Sequence, residues 1–347
     1  MEENKNNAEL NESVVEAPAK KGMTFKDFIL EYNAIIVLVL VIIISIILSP
    51  VFFTWTNFCN LMRQYAPYFL LVCGMLMIMI SGGIDLSLGA MIAVGGIVFS
   101  VTLKNWGWGS ESAWGLIPCL LFVALVGVLF GCINASLVNF GGMPPFVATL
   151  ATQMVANGVA NTIVGGAAVD VSSTGAAFNA MRSYCTGSTL LIKLPWLGLT
   201  FILLGVIVTI VIKLTVFGRM ITASGSNGDA VKFAGLNLIK YRFIPYLFGG
   251  MFSTLAGAIL VGRATIASPT AGSDYQMDAI AACVIGGSNL FGGTGSVPKS
   301  YIGMCILALI GNIMNLLSIG SYMQNVCKGL IIMGAVLLMN ATDKISE

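Results

Sequence analysis

Four polar side chains recur at intervals of four residues within one apolar segment: Thr149, Gln153, Asn157 and Asn161. A helix places residues i and i+4 on one face, so this spacing predicts a single polar stripe. Uncharged amides and hydroxyls are costly against lipid, and the stripe must therefore face other helices or a water-filled cavity. Such groups can exchange hydrogen bonds with an uncharged polar solute without trapping it, while hydrogen bonding between helices explains the stripe equally well.

A weaker pattern of the same kind occurs nearer the C-terminus, where Asn312 and Asn315 share one apolar segment. Both residues are candidates for a polar path through the protein. Because the pattern is weaker, hydrogen bonding between helices is the favoured explanation here.

Three charged residues fall within or beside apolar segments, where an unpaired charge is expensive. Asp85 follows two glycines and Asp278 begins a later apolar run, so each carboxylate is placed to cap a helix by accepting from free backbone N–H groups. A role in a transport path or a gate is the alternative, and it is compatible with capping. The Lys328 ammonium needs a carboxylate, backbone carbonyls or the membrane interface as its partner, and it is predicted to extend toward water.

Several classes of chemistry are excluded by residues that the chain lacks. It contains no His, which removes imidazole bases, His metal ligands and Ser-His-Asp triads. It has no G-x-x-x-x-G-K-[ST] sequence to cradle ATP phosphates, so any energy from ATP must come from another chain. Its eight cysteines show no CxxC spacing and are interpreted as reduced packing residues. The sequence therefore predicts neither an enzyme nor a cofactor or metal site.

The composition is that of a membrane protein. Of the 347 residues, 57% are hydrophobic and 9% are charged, which is too few charges to cover a soluble surface. A net charge of +2 gives no reason to expect nucleic acid as a partner. Long apolar runs predict an all-α membrane protein with about ten transmembrane helices. The runs are 34–53, 66–81, 85–103, 114–140, 144–165, 195–216, 243–262, 276–294, 299–319 and 321–340.

The distribution of charge predicts how the chain is oriented. Residues 1–22 lack apolar periodicity and are predicted to be a disordered cytoplasmic tail, followed by a single transmembrane domain at 23–347. Cytoplasmic loops carry more Lys and Arg, and ten spans threaded from a cytoplasmic tail place eleven basic residues inside and five outside. Both termini are then cytoplasmic, with a long outer loop at 166–194 and a basic inner loop at 217–242.

The inner loop carries a pattern of small and polar residues. Its members are Gly218, Arg219, Ala223, Gly225, Asn227, Ala230 and Gly235. The pattern predicts two short helices separated by the break Gly225-Ser226-Asn227-Gly228. Because Gly permits backbone angles that side chains resist, the break is predicted to fold into a compact knob, with an ordinary solvated turn as the alternative.

This loop resembles the coupling segment of ATP-binding-cassette (ABC) importer permeases of the monosaccharide branch. The pattern typical of that branch is G-R-x-x-x-A-x-G-x-N-x-x-A-x-x-x-G, and here Ala234 adds one residue before the last glycine. Three further elements are similar to the family: residues 82–89, 145–150 and 278–287. The four elements occur in order, and the resemblance covers nearly the whole chain.

The resemblance implies a permease of the type II ABC importer fold in a bacterial cell membrane, with no enzyme activity of its own. Such a permease forms the translocation pathway for a monosaccharide. The implied partners are an ABC ATPase subunit that receives the knob, an extracytoplasmic sugar-binding protein, and a second permease copy or close paralogue. Phe146, at the start of the helix with the polar stripe, joins Asp85 as a candidate residue of the pathway.

Two alternatives stay open. An ion-coupled secondary transporter could use Asp85 and Asp278 to carry a proton or a sodium ion, although such a carrier would not need the basic loop at 217–242. ABC permeases for autoinducers, nucleosides or branched-chain amino acids share a comparable membrane architecture.

Overall fold

Helices make up nearly all the regular structure, as the long apolar runs predict. The computed structural model describes residues 25–190 and 193–346, and the predicted tail at 1–22 lies outside this part. In chain order the elements are α1 (Phe25–Leu48), α2 (Trp55–Ile80), α3 (Leu88–Lys104), a 3-10 helix (Ala113–Gly115), α4 (Leu116–Asn139), α5 (Pro145–Val164), β1 (Val169–Asp170), α6 (Ala176–Thr186), α7 (Trp196–Leu214), α8 (Val216–Ser226), α9 (Gly228–Phe233), α10 (Leu238–Ala264), β2 (Ile266–Ala267), α11 (Tyr275–Ile285), α12 (Val297–Leu316) and α13 (Ser321–Ser346).

The predicted all-α membrane fold is confirmed. Within the described residues, five helical segments are long and apolar enough to cross a membrane, judged by length and composition. They are Trp55–Ile80, Ala113–Asn139, Trp196–Leu214, Leu238–Ala264 and Val297–Leu316. Three shorter apolar helices accompany them: Ala34–Leu48, Leu88–Lys104 and Tyr275–Ile285. Each of the ten predicted runs overlaps a helix, and the number of actual crossings stays a prediction.

Two predicted runs differ clearly from their helices in extent: α2 begins at Trp55, well before the predicted start at 66, and the run at 276–294 is too long. The sequence predicts a continuous span at 276–294, but α11 ends at Ile285. Its 11 residues rise only about 16 Å, whereas the hydrocarbon core is about 30 Å thick. The loop that follows contains Gly287, Gly292 and Gly293 in the left-handed region that favours glycine. Hydropathy alone does not separate such a loop from a helix, because glycine is not a polar residue.

Because successive long helices run antiparallel, the helix bundle has two ends. All five tryptophans lie at one of them, which we call the tryptophan end: Trp55, Trp106, Trp108, Trp114 and Trp196. The two short strands pair there, with Val169 opposite Ala267, and α6 lies against the end of α10. At the other end, the loop after α11 meets the last residue of α2. We call it the coupling end, because it carries the loop that resembles a coupling segment. Tryptophan is enriched where a membrane meets water, so the tryptophan end marks one interface.

Helix α10 lies at the centre of the fold, and glycines let its neighbours approach closely. It packs against α2, α3 and α4. A Cβ at Gly257 would overlap the carbonyl oxygen of Ile92 on α3, and one at Gly250 would overlap that of Gly127 on α4. Lipid removes most of the hydrophobic drive between membrane helices, so close contact of this kind supplies much of their packing energy.

We expect Gly257→Ala to lower the free energy of unfolding by about 1–3 kcal/mol, because the added methyl group forces α10 away from α3. Thermal unfolding of the purified chain in detergent measures the change. Gly329→Ala on α13 is the matched control, since a Cβ there meets nothing within 4 Å. Equal melting temperatures for the two variants would contradict the close-packing argument.

Candidate functional site

Helix α5 carries the predicted polar stripe, and local sequence sets both of its ends. Pro145 occupies the first position, where the missing backbone N–H costs nothing. Gly165 follows the last residue with φ 61°, the left-handed conformation that commonly ends helices. The stripe therefore lies on one uninterrupted helix of 20 residues.

The packing face of α5 is a second stripe, one residue out of phase with the polar one. Its members are small and buried: Ala148, Thr152, Ala156 and Ala160. Helix α5 packs on α3 and α4. Sequence reasoning missed this stripe, although its spacing of four and its small side chains are visible in the sequence.

The polar stripe follows the border between the packed and the open faces of α5. Thr149 is buried, Gln153 and Asn157 are half-buried, and Asn161 is exposed. Thr149 donates to the carbonyl oxygen of Pro145 at 2.8 Å, and Asn161 donates to that of Asn157 at 2.8 Å. Among the described residues, the stripe makes no side-chain hydrogen bond to another helix. Hydrogen bonding between helices of this chain therefore does not account for the stripe.

The open face beyond the stripe is apolar. Phe146 is 57% exposed and Met154 is 68% exposed, and Val155 beside them is exposed as well. A face of this kind in a membrane protein meets lipid or another protein chain. The polar stripe runs along the edge of that contact.

Asn312 lies away from α5, in a buried pair of amides that joins α2 and α12. Asn57 and Asn312 donate to each other's side-chain oxygen at 2.9 Å in both directions. Asn315 accepts from the amide of Gln324 at 2.9 Å. The explanation by packing, which the sequence favours for this helix, fits both residues. Asn57 is the partner that the sequence did not reveal, because it lies 255 positions away.

Asp85 is fully buried in the turn between α2 and α3. One carboxylate oxygen accepts from the backbone N–H and the hydroxyl of Ser87, at 2.9 and 2.5 Å. The other oxygen accepts from the amide of Asn134 on α4 at 2.9 Å. The predicted capping role is wrong: the N-cap residue of α3 is Ser87, α3 has no side-chain cap, and among the described residues Asp85 accepts only from Ser87 and Asn134. Asp85 therefore holds this turn against α4.

Asp278 and Lys328 form an ion pair, although the sequence favours water as the partner of Lys328 and does not identify Asp278. The Lys328 ammonium donates to the Asp278 carboxylate at 2.7 Å, with the two side chains 19% and 5% exposed. Lys328 therefore does not extend to water, and that prediction is wrong. Asp278 lies inside the first turn of α11, after the N-cap residue Asp274, so its predicted capping role is also wrong. The pairing accounts for both buried charges, because their attraction opposes the free-energy cost of removing each from water.

The cysteines behave as predicted. All eight are free, and five of them are buried. Within the described residues, no group of three or more His, Cys, Asp or Glu side chains could hold a metal ion. The thiols are packing groups in this fold.

The loop at 217–242 forms two helices with one residue between them, as its pattern predicts. Thr215 caps α8 by accepting from the backbone N–H of Gly218 at 3.2 Å. Asn227 caps α9 by accepting from that of Ala230 at 3.0 Å. Gly235 ends the segment with φ 73°. We call α8, Asn227 and α9 the coupling segment.

Gly225 differs from its predicted role. It lies inside α8 with an ordinary helical backbone, so the break is narrower than predicted and does not need its conformational freedom. Gly225 instead allows close contact between backbone segments. A Cβ at this position would overlap the carbonyl oxygen of Ile80 and lie 2.6 Å from the backbone nitrogen of Gly293. Arg219 and Ala223 also lie on α8, and the Arg219 side chain donates to the carbonyl oxygen of Leu214 at 3.4 Å.

Three backbone segments meet at Gly225, and we call this contact the glycine junction. Gly293 donates its backbone N–H to the carbonyl oxygen of Ile80 at 3.0 Å, which satisfies a group left free at the end of α2. Gly292 packs against Gly82, three residues before Asp85. The Arg242 side chain donates to the carbonyl oxygen of Ser224 at 3.0 Å and fixes the end of α8. The coupling segment therefore contacts the turn that holds Asp85.

A cavity of about 220 Å³ lies beside the junction. Its lining includes Gly82 and Gly83, Arg242, Tyr246, and Pro145 at the start of α5. The Tyr246 hydroxyl is buried and has no hydrogen-bond partner among the described residues, so the cavity offers a place for water. This cavity connects the glycine junction with the first turn of α5.

Comparisons with known proteins agree that this chain is similar to transport permeases. The family described as branched-chain amino acid transport system / permease component matches residues 57–339. The ribose import permease protein of Bacillus subtilis (strain 168) is 36% identical, covering 86% of this chain and 89% of its own. The ribose import permease protein of Escherichia coli (strain K12) is 33% identical, covering 91% of this chain and 95% of its own. The xylose transport system permease protein of the same organism is 32% identical, covering 88% of this chain and 92% of its own. No solved structure matches the chain.

Proposed function

We propose a transport function from one premise: this chain belongs to the family of branched-chain amino acid transport system permease components. Within that family it is the membrane-spanning subunit of an ABC importer for a monosaccharide. Three relatives that it resembles over most of its length are named as ribose or xylose permeases, which favours a sugar over an amino acid. ATP is hydrolysed by a separate ATPase chain.

The polar stripe of α5 carries the proposal. It presents uncharged hydrogen-bonding groups that make no side-chain hydrogen bond to another helix of the described chain, beside an exposed apolar face. A second permease copy, or a close paralogue, packs on that apolar face. The stripes of the two chains then line the pathway, where a sugar exchanges hydrogen bonds with Gln153, Asn157 and Asn161.

The coupling end faces the cytoplasm in this proposal, and the tryptophan end faces outward. The basic residues assigned inside outnumber those outside, and three of them flank the coupling segment: Lys213, Lys240 and Arg242. An ATPase subunit docks on the exposed surface of α9, where Phe233 is 92% exposed. An extracytoplasmic binding protein delivers the sugar to the tryptophan end.

The double variant Asn157→Leu/Asn161→Leu is expected to reduce sugar uptake by about tenfold or more, because two hydrogen-bonding groups are lost from the pathway. Uptake of labelled ribose and xylose by cells that contain the complete transporter measures the effect. Thr162→Val, which removes a hydroxyl from the same helix off the stripe, is the control and should transport normally.

Co-purification of the ATPase shows whether the double variant still assembles. Normal uptake by an assembled double variant would remove the stripe from the pathway. Competition by unlabelled leucine or a nucleoside, and not by either pentose, would reassign the substrate class.

The structure disfavours an ion-coupled carrier. Asp85 is enclosed by three donors, and Asp278 is paired with Lys328. A carrier of this kind would need one of these carboxylates to bind and release an ion during each cycle.

A further inference from the structure

Two arginines line one cavity at the tryptophan end. The cavity measures about 450 Å³ and lies where α2, α6 and α10 meet. Arg63 and its neighbours Asn60 and Gln64 come from α2, and Arg263 comes from the last turn of α10. Cys185 and Thr186, at the end of α6, close a third side.

Neither arginine has a carboxylate partner among the described side chains, whose ion pairs are Asp229–Lys232 and Asp278–Lys328. Arg263 donates one N–H to the carbonyl oxygen of Gln64 at 3.2 Å. Arg63 makes one long contact of 3.5 Å with Asn60, and its Nε atom is buried without a partner. Two guanidinium groups therefore border one concave space with most of their N–H donors unused, and charges in such a place are costly unless paired.

We propose that this cavity, which we call the arginine cavity, binds a phosphate group. Each guanidinium offers a planar fork of donors that matches the oxygens of an oxyanion. A carboxylate has two oxygens and is filled by one fork, whereas a phosphate can present oxygens to both. The concave shape suits a small anion or a headgroup better than the flat face of a docking protein.

Two sources can supply the phosphate. The five tryptophans place the arginine cavity near a membrane interface, where phospholipid headgroups lie. A soluble phosphate compound reaching the same end of the protein is the second source. This site is independent of the proposed sugar transport.

Inorganic phosphate is the first probe. In chloride-matched buffer, phosphate is expected to raise the melting temperature of the purified full-length chain by about 2 °C or more. Arg63→Gln/Arg263→Gln should lose the shift, and Arg63→Lys/Arg263→Lys should retain only part of it because the forks are gone. Arg182→Gln is the control: this exposed arginine on α6 does not line the cavity, so the full shift should remain.

Native mass spectrometry of the chain taken from nanodiscs of phosphatidylglycerol and phosphatidylcholine separates the two sources. Retention of phosphatidylglycerol that phosphate displaces identifies a lipid headgroup, whereas a phosphate shift without retained lipid identifies a soluble compound. In either case, Arg63→Gln/Arg263→Gln should abolish the lipid retention or the phosphate shift. No phosphate shift together with equal lipid retention by wild type and the double Gln variant would overturn the proposal. Weaker binding of the extracytoplasmic protein as the sole effect of that variant would overturn it in favour of a docking surface.

If the double Gln variant does not fold, the single variants carry the test. Arg63→Gln and Arg263→Gln each keep one guanidinium and should each show a reduced phosphate shift. A full wild-type shift in both would equally overturn the proposal.

Discussion

A Gly225→Val variant should reach the membrane but lose about nine-tenths or more of its substrate-stimulated ATP hydrolysis. The valine side chain would overlap the carbonyl oxygen of Ile80 and press on Gly293, so the coupling segment could no longer sit in the glycine junction. Displacing the segment changes where the proposed ATPase docks and breaks its contact with the turn that holds Asp85. ATP hydrolysis by the reconstituted complex, with and without sugar-loaded binding protein, measures the loss.

Gly329→Val is the matched control, because a Cβ at that position of α13 meets nothing within 4 Å. Expression and melting temperature of the permease separate lost coupling from lost folding. If Gly225→Val does not accumulate, the smaller Gly225→Ala variant takes its place, since its Cβ alone already overlaps Ile80. Stimulated hydrolysis within twofold of wild type, in a normally expressed variant, would contradict the role of the junction.

Lys328→Met should destabilise the protein by about 3–5 kcal/mol, because it leaves the Asp278 carboxylate buried without a partner. The double variant Asp278→Leu/Lys328→Met should recover most of this loss, since neither charge is then buried alone. Thermal unfolding of the three proteins in detergent measures both changes.

An exposed ion pair of the same chain gives the control. Lys232 and Asp229 lie 3.2 Å apart with side chains 62% and 78% exposed. Lys232→Met should therefore cost no more than about 1 kcal/mol. Equal costs for Lys328→Met and for the double variant would show that packing, and not an uncompensated charge, determines the stability.

The sequence predicts the helices well because length and hydropathy are local properties. Pro145 and the glycine at 165 mark both ends of α5 in the printed sequence, and Asn227 marks the start of α9. The prediction fails at 276–294, where a loop rich in glycine has no charged residue to separate it from α11. At this loop glycine takes the place of longer side chains, and composition no longer distinguishes the loop from the helix before it.

What each helical face meets is much harder to read from the sequence. The stripe at Thr149 and the stripe at Ala148 have the same spacing, and only the structure shows that the second one packs. The partners of Asn312 and Lys328 lie on other helices, 255 and 50 positions away. Without knowledge of which helices are neighbours, a buried amide cannot be told from one that lines a pathway, and a lysine that extends to water cannot be told from one in an ion pair.

Gly225 shows the same limit in a different form. The sequence correctly marks it as a position that needs glycine, but the predicted reason was backbone freedom. The structure gives backbone contact with Ile80 as the reason, and that contact joins residues 145 positions apart. A local pattern identifies the position, and only the packing of distant segments explains it.

The gathering of all five tryptophans at one end has a spectroscopic consequence. Indole emission from this chain reports on that end alone, and the coupling end contributes no tryptophan signal of its own. A change in emission when phosphate is added would therefore be a signal from the neighbourhood of the arginine cavity. A change in the emission of these five tryptophans, with the partner chains free of tryptophan, on addition of nucleotide to the assembled transporter would show that a movement started at the ATPase has crossed the whole thickness of the membrane.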